Sequence, residues 1–146
     1  MNIHPRGLGQ SNQDSFVLNM LNNKTNGIYI EVGSNDPIAW NNTFLLETEF
    51  GWTGHGFEIV PELVEHYNSI RKNKCICADA TIFDYRSFFK EQNLPKQIDY
   101  LQLDIEPAKN TLAALYNMPL DEYRFSIITY EHDLYATPEN AFIKAE

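Results

Sequence analysis

Five acidic residues matter because of where they fall. Glu31, Glu58, Asp79, Asp104 and Glu131 each close a short run rich in β-branched, aromatic or other apolar residues, such as Ile28-Tyr29-Ile30 and Ile127-Ile128-Thr129-Tyr130. Runs of this kind, alternating with stretches of helical spacing, predict a parallel sheet covered by helices. In a parallel sheet all strand C-termini lie on one edge, and open α/β sheets hold their ligands there. One acid at that edge needs no explanation, but five in register predict a site. Carboxylates so placed can accept the hydroxyl protons of a ribose, balance a cation or act as a general base.

The loop after the first strand narrows the ligand. Gly27-Ile28-Tyr29-Ile30-Glu31-Val32-Gly33-Ser34-Asn35-Asp36 passes from a strand into a tight polar turn with Gly33 flanked by Glu31 and Asp36. A pyrophosphate cradle needs several glycines and a helix N-terminus without acids. Carboxylates repel phosphate and attract cations. Glu58, 25 residues beyond Gly33, stands near the separation at which an acid binds ribose hydroxyls in nucleotide-binding α/β folds. It could equally cap the helix that starts at Pro61. A ligand with an adenosine end and a cationic amino-acid end fits both loops, and S-adenosylmethionine is that ligand. An NAD- or nucleotide-sugar-binding protein is the alternative. In Glu131-His132-Asp133, His132 is a candidate base because imidazole titrates near neutrality, with a solvated loop residue as the blander reading. The acids could supply oxygen ligands to a divalent ion, but their spacing demands none, and no metal is expected.

The elements that must position these residues follow in order. A helix begins at Ser11 or Asn12, with Phe16, Val17, Met20 and Leu21 at helical spacing. Strands are expected at Ile28 to Val32, His55 to Ile59, Lys74 to Ala78, Gln97 to Leu103 and Arg124 to Tyr130. Between them lie a helix containing Phe44 to Phe50, one from Pro61 with Leu63, Tyr67 and Ile70 on its apolar face, one holding Phe88 and Phe89, and one from Ala108 to Tyr116 with Leu112 and Leu115 or Tyr116 inward.

The chain has 146 residues, 43% hydrophobic and 21% charged, which predicts one domain over 1–146 with an irregular arm at 1–10. A net charge of -9 argues against nucleic acid and against an anionic membrane surface as partners. Met1 to Ser15 lacks the apolar core of a signal peptide, and no apolar run reaches the length of a membrane span. The expected compartment is the cytoplasm. Asn23-Lys24-Thr25 and Asn41-Asn42-Thr43 match the glycosylation pattern by chance on that reading. Cys75 and Cys77 are read as reduced packing residues.

The order of several motifs resembles the FkbM-type methyltransferases. The resemblance is carried by the stretch from Gly27 to Asp36, then Asn42-Thr43-Phe44-Leu45-Leu46-Glu47, Gly51-Trp52-Thr53-Gly54 and Phe57-Glu58, and later Ile98-Asp99-Tyr100-Leu101-Gln102-Leu103-Asp104-Ile105-Glu106. Gly9-Gln10-Ser11-Asn12-Gln13-Asp14 is similar to that family's lead-in, so the match runs from Gly9 to Asp133. It implies a Rossmann-like, three-layer methyltransferase with a mostly parallel sheet, using S-adenosylmethionine to methylate the oxygen of a sugar or small-molecule acceptor. By the same resemblance Glu31, Gly33, Ser34 and Asn35 form the glycine loop, Glu58 takes the ribose, Asp79 with Ala80 edges the adenine, and Asp104 with Glu106 lines the methyl-transfer end.

The chain departs from the family pattern at Pro37 and Pro107, where glycine is common. Proline fixes φ and removes a donor, so both loops should be shaped differently. The resemblance also implies seven strands where five are expected here. A minimal or C-terminally truncated sheet would leave the fifth strand as an edge open to pairing, which predicts a homodimer. These departures also keep open a truncated, non-catalytic protein of the same fold that binds cofactor or a partner.

Overall fold

The computed structural model describes Gly7, Gly9 and residues 12–131. Its elements are α1 (Gln13–Met20), β1 (Ile28–Val32), α2 (Phe44–Phe50), β2 (Thr53–Glu58), α3 (Pro61–Ile70), β3 (Lys74–Cys77), α4 (Tyr85–Glu91), β4 (Gln97–Leu103), α5 (Ala108–Asn117) and β5 (Arg124–Tyr130). The strands form one sheet in the order β3-β2-β1-β4-β5, with every neighbouring pair parallel. The chain is therefore an α/β protein of Rossmann-like, three-layer architecture. It winds outward from β1 to β3, then crosses back to lay β4 and β5 on the other side of β1. That reversal opens a crevice between the C-terminal ends of β1 and β4. No helix among the described residues is long and apolar enough to cross a membrane.

Alternation along the strands supplies both faces. Tyr29 pairs with Tyr100, and Tyr100 with Ile127, forming a row that packs with Val17 and Leu18 of α1, Leu45 and Leu46 of α2, and Trp52. Ile30 pairs with Leu101 and Val32 with Leu103, and this row packs with Tyr85 and Phe89 of α4 and Ala114 of α5. Burying each such side chain contributes roughly 1.5–3 kcal/mol, so two continuous rows fix the register of the central strands. The hydroxyl of Tyr67 on α3 meets that of Tyr29 at 3.3 Å, which places α3 on the α1–α2 face. Gly27 allows β1 to start beneath Trp52, because a β-carbon there would overlap the indole ring.

Several helices turn a different face inward from the one their spacing predicts. In α5 the fully buried set is Ala108, Thr111 and Ala114, with the expected Leu115 half-buried against the core and Leu112 half-buried. Small residues bring the helix close to the loop before it, where the Thr111 hydroxyl donates to the Ile105 carbonyl at 2.8 Å and accepts from its N–H at 3.1 Å. In α3 Val64 and Tyr67 are buried while Ile70 is exposed. In α1 Val17 and Leu18 point inward, Phe16 and Met20 are exposed, and buried Asp14 accepts the Gly9 N–H at 2.9 Å. Strand β2 begins two residues before the expected His55, and β3 stops at Cys77. Both cysteines are free, Cys75 buried and Cys77 exposed, so only the first is a packing residue.

Candidate ligand-binding cleft

A cleft of about 670 Å³ opens at the crevice between β1 and β4. Its wall begins at Gly33, with φ at +83°, where a side chain would collide with the Asp104 carbonyl. Only glycine lets the exits of β1 and β4 touch. Asn35 and Trp40 in the same loop also have positive φ, 50° and 57°. Asparagine adopts this conformation readily. For a bulky tryptophan it costs on the order of 1–3 kcal/mol and persists only where the surroundings impose it.

Those surroundings are a set of side-chain clamps. Asp36 Oδ1 accepts the N–H groups of Ile38 at 2.8 Å and Ala39 at 2.7 Å. Asn41 Nδ2 donates to the Asp36 carbonyl at 3.0 Å, and its Oδ1 accepts the N–H groups of Thr43 and Phe44, each at 2.9 Å, at the start of α2. Behind the loop lies Arg71, its side chain 0% exposed. Nε donates to Glu47 Oε2 at 2.9 Å, Nη1 to the Pro37 carbonyl at 2.9 Å and Asn41 Oδ1 at 3.2 Å, and Nη2 to Thr43 Oγ1 at 3.0 Å and the Tyr29 hydroxyl at 3.2 Å. All five guanidinium donors are thereby used, and the group stacks on Tyr67 at 4.6 Å from the ring centre. Pro37 is thus pinned through its carbonyl, which needs no N–H.

Glu31 joins this network to the cleft. Its Oε2 accepts from Thr43 Oγ1 at 3.0 Å and from the Tyr67 hydroxyl at 3.4 Å. Burial pushes its carboxyl up to about 7, against the opposing pull of the Arg71 charge and these hydrogen bonds. Burial likewise pushes the Tyr29 phenol up to about 12. Glu58 Oε1 accepts the Asn35 N–H at 3.1 Å, and Oε2 those of Ile59 at 2.7 Å and Val60 at 3.2 Å. These bonds reach the two residues before α3 and not the N–H groups of its first turn, so Glu58 does not cap the helix; the residue lines the cleft and ties the β1 loop to the end of β2.

The far wall comes from β4 and β5. Gln102, Asp104, Ile105 and Glu106 line it together with Glu131, whose N–H donates to the Leu103 carbonyl at 3.0 Å. Gln102 is 3% exposed and Asn42 5%, and Gln102 Oε1 and Asn42 Oδ1 have no hydrogen-bond partner. Unpaired buried acceptors are rare because each costs desolvation without return. The cleft carries six carboxylates, those of Glu31, Asp36, Glu58, Asp104, Glu106 and Glu131, and no Lys, Arg or His among its described lining. No group of three or more His, Cys, Asp or Glu among the described residues is placed to hold a metal ion.

The structure brings Glu31, Gly33, Ser34, Asn35, Glu58, Asp104 and Glu106 into this one cleft. Asp79 and Ala80 are not among its lining residues. Beyond β3 the chain turns at once, with Asp79 Oδ1 accepting the Thr81 N–H at 2.9 Å and Thr81 Oγ1 at 2.6 Å. Ala80 is buried, its carbonyl taking the Tyr85 hydroxyl at 3.1 Å. Ile59 and Val60 stand beside Glu58 instead. His132 lies outside the described residues. Sequence reasoning missed Arg71 and Gln102. A glutamine inside Tyr100-Leu101-Gln102-Leu103 was a legible signal, whereas nothing local marked Arg71.

No protein-family model matches the chain, and no curated protein matches it. Function has to be read from the residues and their geometry.

Proposed function

We propose that the chain is an S-adenosylmethionine-dependent methyltransferase acting on a hydroxyl of a small-molecule or glycan acceptor. The observation that carries this reading is the charge of the cleft at the strand-order reversal: six carboxylates, two unpaired amide oxygens and no cationic side chain among the described lining. A dinucleotide would bring a pyrophosphate into that field without a cationic side chain among the described lining to meet it. A sulfonium with an adjacent ammonium suits it, so the residues present fit the cofactor.

On this reading Glu31, Gly33, Ser34 and Asn35 hold the amino-acid end and Glu58 accepts the ribose hydroxyls. Ile59 and Val60, both exposed and apolar, supply the flat wall that a purine needs, in place of Asp79 and Ala80. When bound, S-adenosylmethionine supplies an electrophilic methyl group for in-line transfer. The chain contributes chiefly by positioning. Asp104, Glu106 and Glu131 stand where a carboxylate can take the proton released by an acceptor hydroxyl.

Calorimetry with S-adenosylhomocysteine, S-adenosylmethionine and NAD tests the reading. Binding of the first two with no response to NAD is expected, and NAD binding alone would overturn it. Transfer of labelled methyl to candidate acceptors then separates an enzyme from a non-catalytic protein of the same fold, which would bind cofactor and transfer nothing.

A further inference from the structure

Building on the methyltransferase reading, we propose that Gln102 recognises the cofactor: its Oε1, with the Glu31 carboxylate beside it, receives the ammonium of the amino-acid end. The two residues are register partners on β4 and β1, so their side chains leave one face of the sheet from strands about 4.8 Å apart. Both line the cleft, and both are buried. Gln102 Oε1 has no hydrogen-bond partner. The donors of this region are engaged elsewhere. On β5 its other register partner, Thr129, pairs its hydroxyl with that of Tyr100 at 2.6 Å. Beyond β1, Thr43 Oγ1 is committed to Glu31 and Asn41, each at 3.0 Å, and the Tyr67 hydroxyl to Glu31 and Tyr29.

An amide oxygen only accepts, so its missing partner is a donor that a ligand brings. A hydroxyl has one proton and serves one acceptor. An ammonium has three donors and a charge, so it can bridge amide and carboxylate at once. The adenine amine, the cofactor's other multiple donor, belongs at the Ile59–Val60 wall on this reading. The loop after β1 sharpens the assignment, because its N–H groups are spent within the chain. Those of Gly33 and Ser34 donate to the Phe57 carbonyl at 2.8 and 3.3 Å, and that of Asn35 to Glu58 at 3.1 Å. They are not left for a carboxylate. The amino-acid end is therefore held by its ammonium, with its carboxylate contributing little.

Calorimetry on the full chain tests this with S-adenosylhomocysteine and two analogues, one lacking only the ammonium and one lacking only the carboxylate. The decarboxylated analogue should bind within about threefold of S-adenosylhomocysteine, and the deaminated one about tenfold or more weaker. Gln102→Leu changes no charge in the cleft, so it isolates the amide. At unchanged circular dichroism it should narrow the gap between the analogues at least about threefold. The side-chain amide resonances of Gln102 report without any substitution: they should shift strongly with the decarboxylated analogue and little with the deaminated one. If S-adenosylhomocysteine binds but the analogues bind equally, the deaminated one binds more tightly, the gap survives Gln102→Leu unchanged, or the Gln102 amide stays silent, the ammonium site is overturned and the methyltransferase reading stands. Binding of none of the three ligands removes both.

Discussion

Two polar regions lie on either side of the loop after β1, and they differ in one respect. Behind the loop, Arg71 spends every donor on Glu47, Pro37, Asn41, Tyr29 and Thr43, and none of its side chain is exposed. In front of it, six carboxylates line the cleft with no Lys, Arg or His among its described lining residues, and two buried amide oxygens lack donors. A buried network that is fully paired specifies a shape, whereas a partly paired one costs stability unless something else completes it. The rear region is therefore the scaffold of the loop, and the front region is built for a ligand. Glu31 belongs to both, reached from behind by Thr43 and Tyr67 and lining the cleft in front.

The comparison can be broken most severely from behind. Arg71→Met removes the cation from the Glu47 carboxylate, leaving it the Lys72 and Asn73 N–H groups, and frees the Pro37 carbonyl. It should destabilise by about 3–5 kcal/mol, the usual cost of breaking a buried ion pair, as read by denaturant unfolding. Arg71→Lys, with three donors in place of five, should fall between variant and parent. A loss near zero for Arg71→Met would mean that the rear network is not the scaffold.

Glu31 gives the next largest effect and a sign. Its carboxyl titrates near 7 when folded and near 4.5 when unfolded, so across that window the folded state holds a proton that the unfolded chain releases. Stability therefore falls as pH rises from about 4.5 to 7 and levels off above, by a total of order 3 kcal/mol. Glu31→Gln should remove that slope, measured as the difference between parent and variant unfolding free energies across pH. Because an ionised Glu31 is what a cation needs, S-adenosylhomocysteine should also bind more tightly to the parent as pH passes 7. A parent and variant with parallel pH profiles would show that Glu31 is not coupled to folding.

In front, substitutions should stabilise. Gln102→Leu removes a buried acceptor that lacks a partner and should raise stability by about 1–3 kcal/mol while weakening ligand binding. A destabilised Gln102→Leu would show that the oxygen is paired within the chain. Trp40→Gly relieves positive φ and should gain about 1 kcal/mol, again at the expense of binding. Its thermal midpoint is the readout, and a lower midpoint would assign Trp40 to the fold.

Much of the layout was legible in the sequence because it is local. The strands carry apolar runs, and the acids that close them fall on one edge by the geometry of a parallel sheet, which brought Glu31, Glu58, Asp104 and Glu131 together. Asp79 is not among the cleft's lining residues, because β3 stops at Cys77 and its carboxylate is used in the next turn. The face of α5 was legible only in part: Leu115 packs against the core, but Thr111 turns inward through bonds to Ile105 that no periodicity encodes. Arg71 was illegible for a similar reason: its partners Tyr29, Pro37, Asn41 and Glu47 come from 24 to 42 residues away. Pro37 looked like damage to a loop and is instead an acceptor that a buried guanidinium needs.

The central claim is that the cleft between β1 and β4 is a cofactor site of acceptor character. Backbone amide shifts in a ¹⁵N-labelled chain titrated with S-adenosylhomocysteine test it most directly. Saturable shifts concentrated at Gly33 to Asn35, Glu58 to Val60 and Asp104 to Glu106 are the predicted result. No shift at these amides, or shifts produced by NAD and not by S-adenosylhomocysteine, would contradict it.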